Sequence, residues 1–220
     1  MSVERLPDFA LDDGRPLGRE FAALGLGSYR EAARYVRSLP YGRNTDRSDW
    51  RLVLKEGRGA CSTKHALLAE LARENGRHVA LMLGIYEMCE DNTPGIGAVL
   101  ERHGLPCIPD AHCYLAHEGT RVDLTREVEG AEYIVRFLHE EEIYPRQIGE
   151  YKVRAHRGFV RRWAMERGRN PERVWRVRER CIAALERRPR IEQRVKEAGK
   201  TNLTMTSLSH GRSQGGGDCS

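Results

Sequence analysis

Apolar residues recur along this chain with two distinct periods. Between residues 28 and 40 the spacing is helical: Ala32, Ala33, Val36 and Leu39 form one stripe, Ser28 offers an N-cap with Glu31 at the capping-box position, and Pro40 ends the run. A second helical pattern starts near Gly59-Ala60-Cys61, carries Ala66, Leu67, Leu68, Leu71 and Ala72, and stops at Gly76. The period then changes to two. Val79, Leu81, Leu83 and Ile85 alternate through a run ending at Met88, which predicts a core strand. Residues 89 to 111 form a long connection, with a short helix expected from Thr93-Pro94 through Leu100 to Gly104. Residues 112–115 and 120–124 flank a four-residue turn candidate, Ala116-His117-Glu118-Gly119, and read as a β-hairpin.

The last third is helical in pattern. One helix runs from about 153 to 166 with Val160, Trp163 and Ala164 inward, and Trp175 is assigned to the apolar stripe of a second. That second helix starts at Pro171 behind the cap residue Asn170 and carries Val174, Val177, Cys181 and Leu185. Residues 1 to 27 lack a sustained period and read as an irregular lead-in, and the stretch from Tyr41 is rich in turn formers. The fold class is therefore α+β. A single domain is expected over 1–198, with its core at about 28–125 and a helical extension at 145–198, followed by a polar Gly/Ser-rich tail, 199–220, read as disordered.

Charge sharpens this picture in one place. Of the 37 Lys plus Arg, 17 fall in residues 151–200 against 6 Asp plus Glu, a local balance of +11 in a chain whose net charge is +5. Such a segment could bind phosphate backbones by releasing counterions. Only five residues are Lys, however, and few aromatics interleave with the arginines, so a bias toward Arg explains the segment better and a nucleic-acid partner is not expected. No apolar run approaches the length of a membrane span, and the start, with Glu4, Asp8, Asp12 and Asp13, is unlike a signal peptide. The expectation is a cytoplasmic protein with no membrane partner. Six cysteines in a chain of this size are then read as thiols rather than as a disulfide framework.

Among those thiols Cys61 stands apart, because a helix start supplies partial positive charge and free N–H groups that favour a thiolate. A nucleophilic thiolate also needs a base, and the base an orienting acid. Counting back from the four-residue turn sets Cys113 opposite Val122 and His112 opposite Asp123, so that His112, Tyr114, Arg121 and Asp123 share one face. If that face turns toward the start of the Cys61 helix, Cys61, His112 and Asp123 form a catalytic triad.

The same residues carry a family likeness. Gly59-Ala60-Cys61, Leu67-Leu68, Gly76, Gly84-Ile85-Tyr86, Ala111-His112 and Val122-Asp123-Leu124-Thr125 follow one another in the order typical of the transglutaminase-like branch of the papain-like cysteine protease superfamily, and the segment from about Tyr35 to Thr125 resembles it. That resemblance implies a nucleophile at a helix N-terminus packed on a small antiparallel sheet, and acyl transfer from an amide or isopeptide bond of a peptide or protein through a thioester on Cys61. It implies no cofactor and no metal. Ser62 stands where classical transglutaminases have Trp, which argues against calcium-regulated transglutaminase activity. For the oxyanion, the Cys61 N–H is the first donor expected, and Asn44 or Trp50 the second.

His65, four residues after Cys61, lies among the leucines and is expected to be a packed or hydrogen-bonded core residue. A zinc site from Cys89, Cys107, His112 and Cys113 lacks a Cys-x-x-Cys pair, and His112 and Cys113 point to opposite strand faces. The alternative to an enzyme is a catalytically silent protein-binding module on the same scaffold. The long connection and the basic helices are the segments expected to select substrate. Oligomeric state is not legible.

Overall fold

The two apolar periods become two packed layers and a third partial one in a computed structural model, which describes residues 3–125, 134 and 136–185. Helices α1 (Pro16–Ala23), α2 (Tyr29–Ser38), α3 (Leu52–Glu56) and α4 (Cys61–Glu74) precede the strand β1 (Ala80–Cys89). A short helix, α5 (Gly97–Glu101), leads to β2 (Cys107–His117), β3 (Thr120–Val122) and β4 (His139–Ile143). Helices α6 (Glu150–Glu166) and α7 (171–185) close the described chain. The strands pair antiparallel in the order β3-β2-β1-β4, so the described chain is α+β.

Local chemistry sets the helix ends. Ser28 Oγ accepts the Glu31 N–H at 3.3 Å and Glu31 Oε2 accepts the Ser28 N–H at 3.0 Å, closing the capping box at the start of α2. Gly76, at φ +66°, takes the left-handed position beyond α4. Asn170 Oδ1 accepts the Arg173 N–H at 2.9 Å and starts α7.

Helix α4 is buried on nearly every side from Cys61 to Ala72, so it is the pillar of the fold rather than a surface helix. It packs on the sheet face carrying Leu81, Leu83, Ile85, Cys113 and Leu115, with Val36 and Tyr29 of α2 behind it. A second cluster joins Met88, Ile96, Leu100 and Ile108 to Val160, Trp163, Val174, Val177 and Cys181. Arg178 of α7 reaches Asp110 of β2 at 2.7 Å with both side chains largely buried, which ties α7 to the sheet.

Four sequence expectations need correction. The lead-in contains α1, and the turn-rich stretch contains α3, both too short to show a period. The hairpin turns on two residues, Glu118 and Gly119, with φ of +47° and +73°, the positive-φ pair that matches strand twist. Leu115 therefore faces Val122 and His117 faces Thr120, two residues away from the expected register. Finally, Cys89 and Cys107, the last and first residues of β1 and β2, are paired in register and joined by a disulfide. These two are not thiols, contrary to the reading of all six cysteines as thiols. Among the described residues no helix is long and apolar enough to cross a membrane. The tail 199–220 and the last part of the extension, 186–198, lie outside the described residues.

Candidate active site

Cys61 is the first residue of α4, and Ala60 before it is extended. The first intrahelical bond runs from the Lys64 N–H to the Ala60 carbonyl at 3.0 Å, so the N–H groups of Cys61 and Ser62 precede it and face out of the helix end. Thr63 Oγ1 accepts the Ala60 N–H at 3.1 Å and donates to Asn44 Oδ1 at 2.8 Å, fixing the approach to the helix.

His112 and Asp123 meet beside it. His112 Nε2 donates to Asp123 Oδ2 at 2.6 Å, which leaves Nδ1 available to the Cys61 thiol, whose charged form the ring favours. The other oxygen of Asp123 accepts the Thr125 N–H at 2.9 Å and the Thr125 hydroxyl at 2.5 Å, so the carboxylate is held from both ends. The three residues named from the sequence are thus brought together, although the register differs. A shift of two residues keeps every side chain on its expected face and turns a directly opposed pair into a diagonal one.

His65 knits this arrangement to the helix. Leu124 N–H donates to His65 Nε2 at 2.8 Å, which makes Nδ1 the protonated nitrogen, and Nδ1 donates to the Cys61 carbonyl at 2.8 Å. Burial holds its pKa down to about 4 against the opposing pull of Asp123. It is a neutral strut between the nucleophile position and the Asp123 segment, as the core-histidine reading expected.

Lys64, fully buried, does the same on the other side. Its Nζ donates to the carbonyls of Arg37 at 3.2 Å, Leu39 at 2.5 Å and Thr125 at 3.0 Å.

The electrostatics distinguish the free thiols. Burial alone would raise the Cys61 pKa, but the Lys152 ammonium, the His112 imidazolium and the Cys113 N–H outweigh it and bring the thiol to about 6. Burial also opposes the charge on His112, yet Asp123 and the Cys61 sulfur raise it to about 10. Both shifts favour a thiolate beside an imidazolium at neutral pH. Burial pushes Cys113 up to about 12 and Cys181 up to about 11, so both are inert. Asp123 lies well below the ordinary carboxylate range: burial works against its charge, and His112, His65 and Thr125 overcome that.

Cys61, only 8% exposed as a residue, and His112 and Asp123 open onto a cavity of about 510 Å³. Its walls include Tyr41 and Arg43 from the loop before α3, Asn92 and Thr93 from the long connection, and Lys152 and Trp175 from α6 and α7. Trp175 meets His156 at a 60° tilt with ring centroids 4.9 Å apart and is only partly buried, so it belongs to this wall and not to a purely apolar stripe.

Both oxyanion candidates fail on geometry. The Asn44 amide donates to Glu56 Oε2 at 3.2 Å and to the Arg58 carbonyl at 3.0 Å, which uses both of its hydrogens. Trp50 packs against the core around α4 and is not part of the cavity wall. The zinc reading loses two of its four ligands to the disulfide.

Sequence reasoning missed Lys152, Lys64 and the Arg178–Asp110 pair. A signal existed: in a chain that uses Arg almost throughout, Lys64 and Lys152 are two of only five lysines, and a compact ammonium suits a buried site where a guanidinium would not fit. No family model, curated protein or solved structure matches the chain.

Proposed function

We propose that the protein is a cysteine-dependent acyl-transfer enzyme of the transglutaminase-like kind, with Cys61 as nucleophile, His112 as acid and base, and Asp123 as the group that orients His112. The observation that carries this reading is the 2.6 Å bond from His112 Nε2 to Asp123, which leaves Nδ1 to serve Cys61, the first residue of α4, on the same cavity wall. Buried structural cysteines have no such partners.

In the proposed reaction the Cys61 thiolate attacks the carbonyl carbon of an amide, and the resulting oxyanion is met by the N–H groups of Cys61 and Ser62 at the helix end. His112 gives its Nδ1 proton to the leaving nitrogen as the C–N bond breaks, leaving an acyl-thioester on Cys61 and a neutral imidazole. Water or an amine then attacks the thioester while His112 takes its proton, and the thiolate leaves. Asp123 keeps its charge throughout and stabilises the imidazolium in both halves of the cycle.

The test is labelling with a panel of acyl electrophiles followed by peptide mapping. The expected result is one acylated cysteine, Cys61, with Cys113 and Cys181 unmodified in the folded protein. Labelling spread over the three thiols, or absent from Cys61, contradicts the proposal.

A further inference from the structure

The cavity that holds Cys61 is charged unevenly, and the imbalance describes a substrate class. Seven lysine and arginine side chains line it against three carboxylates. Each carboxylate already has a partner: Asp123 has His112 at 2.6 Å, Asp110 has Arg178 at 2.7 Å, and Glu179 has Arg178 at 2.8 Å and Arg43 at 3.5 Å. Arg121 pairs with Glu140 at 2.7 Å and Arg157 with Glu172 at 3.7 Å, both acids lying outside the wall. Three cations are left over. Arg37, Arg47 and Lys152 have no carboxylate within ion-pair distance among the described residues, Lys152 facing the Cys61 and Cys113 sulfurs instead, and the Nε of Arg37 is buried with no hydrogen-bond partner.

These three side chains come from separate parts of the fold: the last turn of α2, the loop before α3, and the first turn of α6. They converge on one cavity, a placement that a general surplus of arginine does not require. A buried donor without an acceptor is destabilising by about 1–3 kcal/mol or more when charged, and a planar guanidinium is satisfied best by a carboxylate taken through two parallel hydrogen bonds. Walls of one sign also concentrate ligands of the other.

We propose, resting on the acyl-transfer reading above, that the acyl donor carries a carboxylate, as in an acidic peptide or a dicarboxylic half-amide, which Arg37, Arg47 and Lys152 hold while its amide carbonyl faces Cys61. Cationic amides are excluded by the same three charges. The proposal explains why the basic helices form a wall of the site: α6 brings Lys152, and the buried Arg178–Asp110 pair fixes α7 behind it.

Iodoacetate and iodoacetamide test this with one reaction. In both, the Cys61 thiolate displaces iodide and forms a C–S bond; the reagents differ only in carrying a carboxylate or a neutral amide. The ratio of the two rates therefore reports recognition of the anion and cancels the reactivity of the thiolate itself. The ratio for Cys61, iodoacetate over iodoacetamide, is expected to exceed that of free cysteine by about tenfold. It is expected to fall most of the way back in Arg47→Gln/Lys152→Gln, and partly in Arg37→Gln. His112 is unchanged in these variants, so its own attraction for the anion drops out of the comparison.

Glutarate is expected to protect Cys61 from iodoacetamide more strongly than inorganic phosphate does. A wild-type ratio equal to that of free cysteine, a ratio unmoved in both variants, or protection by phosphate alone overturns the proposal. The failure of the nucleophile reading looks different: both reagents are then slow in absolute rate at Cys61.

Discussion

Cys61→Ala is expected to abolish acyl transfer, and Asp123→Asn to lower kcat/KM by roughly 10³-fold while the fold is retained. The first follows from removing the atom that carries the acyl group. The second follows from the two bonds that Thr125 gives to Asp123 Oδ1. An asparagine in that place sets its carbonyl oxygen against the two Thr125 donors and turns its N–H₂ toward His112 Nε2. That nitrogen must then accept, which forces the proton onto Nδ1 of a neutral ring, the side that has to take a proton from the attacking water or amine. Steady-state kinetics with an acyl donor, read beside circular dichroism, checks both. An Asp123→Asn enzyme within threefold of wild type would show that the carboxylate does not orient the base.

Lys64→Met is expected to destabilise the fold by about 3–5 kcal/mol, the scale of an ion removed from a buried, fully satisfied site with its partners left behind. The three carbonyls of Arg37, Leu39 and Thr125 would lose their common donor inside the protein, and methionine offers shape without an N–H. For a chain of this size the loss corresponds to a Tm lower by about 10 °C. Denaturant unfolding of the two proteins measures it. A difference under 1 kcal/mol would mean that water reaches those carbonyls once the ammonium is gone. Because Thr125 also braces Asp123, the same change is expected to lower kcat before it unfolds the protein at room temperature.

How much of this was readable in the residues depended on whether the signal was local. Capping at Ser28 and Asn170, the glycine at 76 and the alternation from Val79 to Ile85 are local, and the elements they define stand where the pattern put them. The grouping of Cys61, His112 and Asp123 was also legible, for a forgiving reason: strand faces repeat every two residues, so a turn misread by two residues leaves the faces intact.

Strand β4 was not legible. His139-Glu140-Glu141-Glu142-Ile143 has no apolar alternation, because it is an edge strand whose acids are satisfied from neighbouring elements: Glu140 by Tyr114 and Arg121, Glu141 by Tyr151, and Glu142 by His78. The role of Asn44 was misassigned because nothing in the sequence shows that Glu56, Arg58 and Thr63 converge on it. Lys152 lies about ninety residues from Cys61 along the chain, and only the packing of α6 on β2 brings its charge to the sulfur. The Cys89–Cys107 bridge depends on strand register in the same way.

The account turns on Cys61 being a thiolate at neutral pH, and the rate of its alkylation by iodoacetamide as a function of pH tests that most directly. Since the Cys61 pKa is lowered to about 6, the rate is expected to rise with pH through a half-maximum near 6. With the His112 pKa raised to about 10, the imidazolium persists through the neutral range, and the rate is expected to change again only as pH approaches 10, where His112 loses its proton. At pH 6 Cys61 should react far faster than free cysteine, whose thiolate forms near pH 8.5. A single titration near pH 8.5 or above, with no advantage over free cysteine at pH 6, would contradict the account.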